Sequence, residues 1–193
     1  MVNPKIIEHA PAMSVIDAIY KRRAVRAYKT LTVGRDDINA LLAAAVQAPT
    51  AIHEEPWAFV VIQNRDVLKE LSDSAKEILD SQGRKALPDF LKNPDLNIFY
   101  DAGTLIIIYG KNMGPFVAAD CWLAAENLML VACAMGLGTC VIGLAVEALN
   151  TPEWKQKLGV SPDFTAHVPL ILGVPGGKTP PVFRKAPEII AWK

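Results

Sequence analysis

The sequence is poor in the residues that build metal and disulfide frameworks. Its 193 residues include three cysteines (Cys121, Cys133 and Cys140) and three histidines (His9, His53 and His167). The cysteines form no Cys-x-x-Cys pair and lie in apolar surroundings, so no zinc site and no disulfide framework is expected, and a reducing compartment is the simpler setting. His53-Glu54-Glu55 starts like a zinc-protease helix, but Pro56 and Trp57 break it and no second histidine follows at ligand spacing. Net charge is also missing. Twenty bases balance 20 acids, which excludes a uniformly basic nucleic-acid binder and a disordered polyelectrolyte. The stretch MVNPKIIEHAPAMS holds no apolar run of signal-peptide length behind a basic start, which makes a cytoplasmic protein the expectation. No repeat or low-complexity tract is present.

One charge-free stretch, 127–146, reaches the length that spans a membrane. Gly136, Gly138 and Gly143 interrupt its second half, so a helix, a glycine turn and a short strand inside a soluble core account for the same residues. What the chain does have is apolar content: 51 % of its residues are hydrophobic. Its length fits one domain over 1–193, able to bury roughly 70 % of the extended surface without staples.

Local patterns place the elements. Ser14 is an N-cap signal for a short helix to about residue 22, with Asp17 as its capping partner. Ile38, Leu41, Leu42, Ala45 and Val46 repeat at helical spacing across 36–48, where Pro49 stops them. The run 57–63 reads as a buried strand, and Asn64 caps a helix with an apolar face of Val67, Leu68, Leu71, Ala75, Ile78 and Leu79. Residues 81–100 contain Pro88, Pro94 and three aromatics without a period, which predicts a long loop or lid with room for one helical turn. A second strand is expected over 104–109 and an over-apolar helix, covered on nearly all sides, over 117–135. Further strands are expected at 139–142 and 167–173, around a short helix opened by Thr151, Pro152 and Glu153 and closed by Gly159. From Pro175 onward the prolines predict an extended tail.

Two apparent motifs fail on inspection. In Gly173-Val-Pro-Gly-Gly-Lys178-Thr179 the first glycine is one residue too close to the lysine for a P-loop, and prolines follow where a phosphate-binding helix should begin. Gly136-x-Gly138 runs from helix to strand, the reverse of a dinucleotide fingerprint. More informative is Lys21-Arg22-Arg23-Ala24-Val25-Arg26, within a stretch, 20–35, that holds no acid. Three arginines at a helix end can offer forked donors to a phosphate dianion. Taken alone, the same cluster reads as a solvated basic helix end stabilised by the macrodipole.

The cluster belongs to an ordered set of motifs through which the sequence resembles the FMN-dependent nitroreductase family. Arg22-Arg23-Ala24-Val25-Arg26-Ala27-Tyr28 is similar to that family's Arg-Arg-Ser-x-Arg-x-Tyr phosphate motif. Residues 48–61, with Pro49, Thr50, Ala51, His53, Glu55, Pro56 and Trp57, resemble its Ala-Pro-Ser-x-x-Asn-x-Gln-Pro-Trp segment. Residues 120–128 and 136–143 are similar to its central helix and the glycine segment beside the flavin, and 169–175 with Phe183-Arg184-Lys185 to its last strand and basic tail.

The resemblance covers about residues 14–190. It implies an α+β nitroreductase-like fold, a mixed central sheet wrapped by helices, in an intertwined homodimer that holds FMN at the subunit interface and exchanges C-terminal arms, about 175–193. The over-apolar helix and the extended tail are what a large obligate interface needs. By the same resemblance Arg22, Arg23, Arg26 and Arg184 would hold the FMN phosphate and ribityl chain, with Ala24 contributing backbone. Pro49, Thr50 and Ala51 would reach the partner's flavin, His53 and Glu55 the ribityl or ring edge, and the backbone of Ile142, Gly143 and Leu144 the flavin N5. The implied activity is a ping-pong oxidoreduction in which NAD(P)H reduces the flavin and a nitroaromatic, quinone or similar electron-poor acceptor reoxidises it, without a covalent nucleophile and without a metal.

The chain departs from the family pattern at three positions: serine becomes Ala24, asparagine His53 and glutamine Glu55. The polar pair at the flavin pyrimidine edge has no clear counterpart; Asn93 and Asn97 are the candidates, and Ile98 stands where a base is often found. A flavin dehydrogenase or ene-reductase of the same family, and a non-catalytic flavin-binding dimer, remain open on the sequence.

Overall fold

The structure is a computed structural model that describes residues 13–81, 93 and 96–193. Most of the lid expected at 81–100 therefore lies outside the described residues.

The chain opens with helix α1 (Val15–Lys21), where Ser14 Oγ accepts from the Asp17 backbone N–H at 3.0 Å and donates to its carboxylate at 2.9 Å. Helix α2 (Arg35–Ala45) ends three residues before the expected boundary. Pro49 disfavours the helical conformation at Ala48, so the last turn loosens. Strand β1 (Trp57–Ile62) leads to α3 (Arg65–Ser81), whose first N–H groups, Asp66 and Val67, are capped by Asn64 Oδ1. Then follow β2 (Thr104–Lys111), α4 (Val117–Ala134), β3 (Gly138–Val141), α5 (Val146–Leu149), α6 (Pro152–Leu158) and β4 (Phe164–Gly173). Single 3₁₀ turns occupy Ala51–His53 and Gly143–Ala145. Thr151 and Gly159 cap α6 as their residue types predict.

The strands form one sheet in the order β1-β2-β4-β3, and all three ladders are antiparallel. This corrects the expected mixed sheet: among the described residues the parallel component is a single bridge between Ala24 and Thr139. Strands as apolar as β2 suggest a parallel sheet because both faces are buried. Here helices on both faces achieve that burial for an antiparallel sheet. Leu105, Ile107 and Tyr109 point into one core with Leu68, Leu71, Phe99 and Trp154, whereas Ile106 and Ile108 point into another with Leu41, Leu128 and Leu170. The alternation is the period of two of a strand.

Two local features seat α4 on the sheet. The β2–β4 register shifts after Ile108, pairing Ile108 with Val168 and Tyr109 with Ala166, so His167 is the extra residue of a bulge. Beside it Gly110 lets α4 approach: a Cβ at this position would stand 2.3 Å from Val117 Cγ1 and 3.0 Å from both Cys121 Sγ and His167 Cδ2. At its other end α4 stops at Gly136, whose φ of 74° belongs to the left-handed region. The N–H groups of Gly136 and Leu137 donate to the carbonyls of Cys133 and Ala132 at 3.0 and 2.8 Å, a glycine-closed Schellman turn. The stretch 127–146 is thus the helix, glycine turn and short strand that its glycines indicated. In the single chain α4 is not covered on all sides, since Trp122 and Leu123 remain 48 % and 46 % exposed.

Candidate functional site

The basic segment after α1 is held along the edge of the sheet. Val25 N–H donates to the Thr139 carbonyl at 2.9 Å, Lys29 N–H to Val174 at 2.9 Å, and Gly176 N–H to Ala27 at 2.8 Å, while Tyr28 Oη donates to the Val25 carbonyl at 2.7 Å. The false P-loop sequence thus serves as a second rail for this segment. Between the rail and α4 lies a cleft of about 240 Å³, lined by Lys21, Arg22, Arg23, Cys133, Thr139 and Thr179 among others.

The arginines in it are not equivalent. Arg23 Nη1 donates to the carbonyls of Tyr20 and Arg22 at 2.7 and 2.6 Å, capping the α1 C-terminus as the bland reading of the cluster requires. Arg22 Nε lies 3.3 Å from Glu126 Oε1 of α4, yet it is a buried N–H that makes no hydrogen bond. The pair is an electrostatic contact with the donor aimed elsewhere. Arg26 is exposed and turns to another wall, its guanidinium carbon 6.0 Å from the centre of the Tyr100 ring. Arg184 lies in the exposed tail and makes no hydrogen bond or ion pair with the described residues, and Ala24 contributes its backbone bridge to Thr139.

The second group of expected residues forms a strained loop. Ile52, His53 and Glu55 have φ of 45°, 59° and 46°, left-handed values that cost roughly 1–2 kcal/mol each for residues with a Cβ. The ties are Ala51 N–H to Asp120 Oδ1 at 3.2 Å, Glu54 N–H to the Ala51 carbonyl at 3.1 Å, and Glu55 N–H to Thr50 Oγ1 at 3.4 Å. Pro49, His53 and Glu55 are exposed, and Glu55 makes no ion pair among the described residues. In the third group, Ile142 is buried and donates its N–H to the Pro169 carbonyl at 2.8 Å. Gly143 is exposed and Leu144 half-buried in the turn that follows. Asn97 is committed within its own turn, bonding Asp101 Oδ1 and the Phe99 N–H, and Ile98 is in the core.

Two residues of the site escaped the sequence reading. Asp120 is 3 % exposed in an apolar helix, and its Oδ2 makes no hydrogen bond. Its signal was a buried position for one of only two carboxylates in an otherwise apolar helix. Thr139 had no signal beyond its place after Gly138. Removing the Asp120 carboxylate leaves the Ala51 N–H without its acceptor, and Asp120→Ala is expected to cost about 1 kcal/mol. Hydrogen exchange and proteolysis should rise first at 51–55, and a loop as protected as in the wild type would show that Asp120 does not hold it.

No thiol here is poised for nucleophilic work. Burial, aided by Asp120, pushes the Cys121 thiol up to about 12, and burial outweighs the nearby Arg22, Lys21 and Arg23 at Cys133. His167 is held below its ordinary value by burial, with Nε2 buried and unpaired. No cluster of metal-ligating side chains occurs among the described residues. A larger groove of about 410 Å³ along α3 is lined mostly by acids, Asp66, Glu70, Asp73, Glu77 and Glu153 against Lys69, which disfavours an anionic ligand. The basic cleft is the better candidate because its buried donor is unsatisfied.

A four-stranded antiparallel sheet between two helical layers, with a basic cleft at its edge, defines an α+β protein. The chain belongs to the nitroreductase family, whose model matches residues 19–177. A nitroreductase from Bacteroides fragilis, solved with bound FMN, is 28 % identical, with a TM-score of 0.85 over 94 % of this chain and 100 % of that one. A protein of Archaeoglobus fulgidus, provisionally named NADH dehydrogenase/NAD(P)H nitroreductase, is 28 % identical over 157 residues, 81 % of this chain and 83 % of that one. Iodotyrosine deiodinase 1 of Sus scrofa is 28 % identical over 109 residues, 53 % of this chain and 38 % of that protein.

Proposed function

We propose that this chain is an FMN-dependent oxidoreductase that draws on NAD(P)H and passes two electrons, by ping-pong exchange, to a flat electron-poor acceptor such as a nitroaromatic or quinone. The observation that carries the reading is Arg22, whose buried Nε makes no hydrogen bond, in a cleft with Lys21 and Arg23, a donor set that fits the flavin phosphate. When bound, FMN supplies hydride chemistry that no side chain here provides. Arg22 binds the phosphate, Arg23 stiffens the backbone that presents it, and Arg26 and Arg184 supply further charge. The loop of Pro49, Thr50 and Ala51 serves the flavin of a second subunit, with His53 and Glu55 at its edge, while Ile142, Gly143 and Leu144 offer backbone to the ring. Purifying the protein and recording its visible spectrum tests the reading. A flavin spectrum, bleached by NADH or NADPH and restored by a quinone, is expected; a colourless protein that fails to bind added FMN would leave a non-catalytic dimer instead.

The working unit in this proposal is a homodimer. Val15, Ile16, Ile19 and Tyr20 of α1, Phe116 and Trp122 at α4, and Phe183, Ile190 and Trp192 of the tail are all exposed in the single chain, the last three by 88–96 %. A monomer rarely leaves so much apolar surface in water, and a tail without secondary structure gains burial by crossing to a second copy. Light scattering is expected to give twice the 21.0 kDa chain mass; a folded monomer at micromolar concentration would contradict it. The similarity to iodotyrosine deiodinase favours reductive dehalogenation as a second reading, and comparing a nitroaromatic with an iodophenol as oxidant separates the two.

A further inference from the structure

Thr139 stands at the buried side of the basic cleft. It is 2 % exposed and lines the cleft with Lys21, Arg22 and Arg23. Its backbone is fully engaged, bridging Ala24 and accepting from Val25 N–H at 2.9 Å, but its hydroxyl makes no hydrogen bond to any described residue. A hydroxyl that lines a cleft with no partner in the protein is open to a ligand acceptor. Arg22 lines the same cleft, and its Nε is buried without a hydrogen bond, 3.3 Å from Glu126 Oε1. A cationic residue and a neutral hydroxyl residue that line one cleft, neither donor committed to a hydrogen bond, are complementary to a tetrahedral oxyanion with several acceptor oxygens. The residue bridged to Thr139 is Ala24, where the motif this segment resembles carries a serine.

We infer that Thr139 is a phosphate-binding residue of this chain, donating from β3 the hydroxyl that Ala24 lacks, and that its ligand is a phosphate monoester, the terminal phosphate of FMN. The inference rests on reading the cleft as the flavin phosphate site. Arg22 and Thr139 then approach the phosphate from two elements, the segment after α1 and the edge strand, so the bridge between Ala24 and Thr139 sets the spacing of the two donors.

The test is a titration of the full chain, stripped of flavin, with FMN and with riboflavin, which differ only in the phosphate. Thr139→Val removes the hydroxyl at constant shape, in a strand where valine is favoured. It is expected to weaken FMN about tenfold, the scale of a hydrogen bond to a charged group, and to leave riboflavin unchanged. Thr139→Ser should restore most of the FMN affinity, and Thr139→Ala, which adds no methyl in place of the hydroxyl, should repeat the loss. Wild-type FMN affinity in both Thr139→Val and Thr139→Ala, with Arg22→Ala still selective against FMN, would overturn the role of Thr139 and leave the cleft assignment intact. Equal behaviour of FMN and riboflavin in every variant, Arg22→Ala included, would overturn both.

Discussion

Arg22→Ala is expected to weaken FMN binding about ten- to a hundredfold, corresponding to the 1.5–3 kcal/mol of a hydrogen bond to a charged group, with riboflavin affinity unchanged. The magnitude follows from the state of the side chain. Arg22 Nε is buried without a hydrogen bond, so a phosphate would gain a donor that gives up no hydrogen bond inside the protein. The neighbouring Glu126 loses little when Arg22 is removed, because its carboxylate is 46 % exposed and such contacts contribute little in water. Arg23 supplies the contrast. Its guanidinium already serves two backbone carbonyls at the end of α1, so Arg23→Ala should lower stability and affect both flavins alike. Fluorescence titration of the two variants checks the pair of statements; equal losses of FMN and riboflavin in Arg22→Ala would mean that Arg22 also only supports the backbone.

Gly110→Ala is expected to lower the unfolding free energy by about 1–3 kcal/mol, the range for overpacking a tight core. The added methyl would sit 2.3 Å from Val117 Cγ1, well inside van der Waals contact, and neither partner can retreat easily. Gly110 is inside a three-strand ladder, and Val117 begins the helix that carries Asp120 and Glu126. The consequence reaches the site through α4, because a displaced helix moves the acceptor of Ala51 and the neighbour of Arg22. Gly110→Ala/Val117→Ala, which removes the clashing methyl, should recover part of the loss in a denaturant titration. A Gly110→Ala protein as stable as the wild type would show that α4 can shift without cost.

Much of the architecture was legible because it is written in local chemistry. The Ser14, Asn64 and Thr151 caps, the apolar stripe of α2 and the Gly136 and Gly159 stops appear where the residue pattern places them, and the strands expected at 57–63 and 104–109 form within two residues of those bounds. Each depends on neighbours within about four positions, the reach of a helical turn or a cap. The resemblance located the arginine segment, the 48–61 loop and the glycine segment without saying what each side chain does. The mixed sheet that the resemblance implied was not legible in the strand runs, because a run buried on both faces looks the same in a parallel and an antiparallel sheet.

The sequence by itself therefore determined the elements, their caps and the burial of β2. Tertiary structure alone decided which arginine is committed to the backbone. Arg22 and Arg23 are adjacent and chemically identical, yet one folds back on the α1 carbonyls and the other meets a helix about 100 positions later. It likewise decided that Asp120 holds a loop 69 residues away and that Thr139 lies beside Ala24. Side-chain satisfaction is a property of the whole surrounding shell, assembled from segments distant along the chain, and no local pattern encodes which donor that shell leaves unpaired.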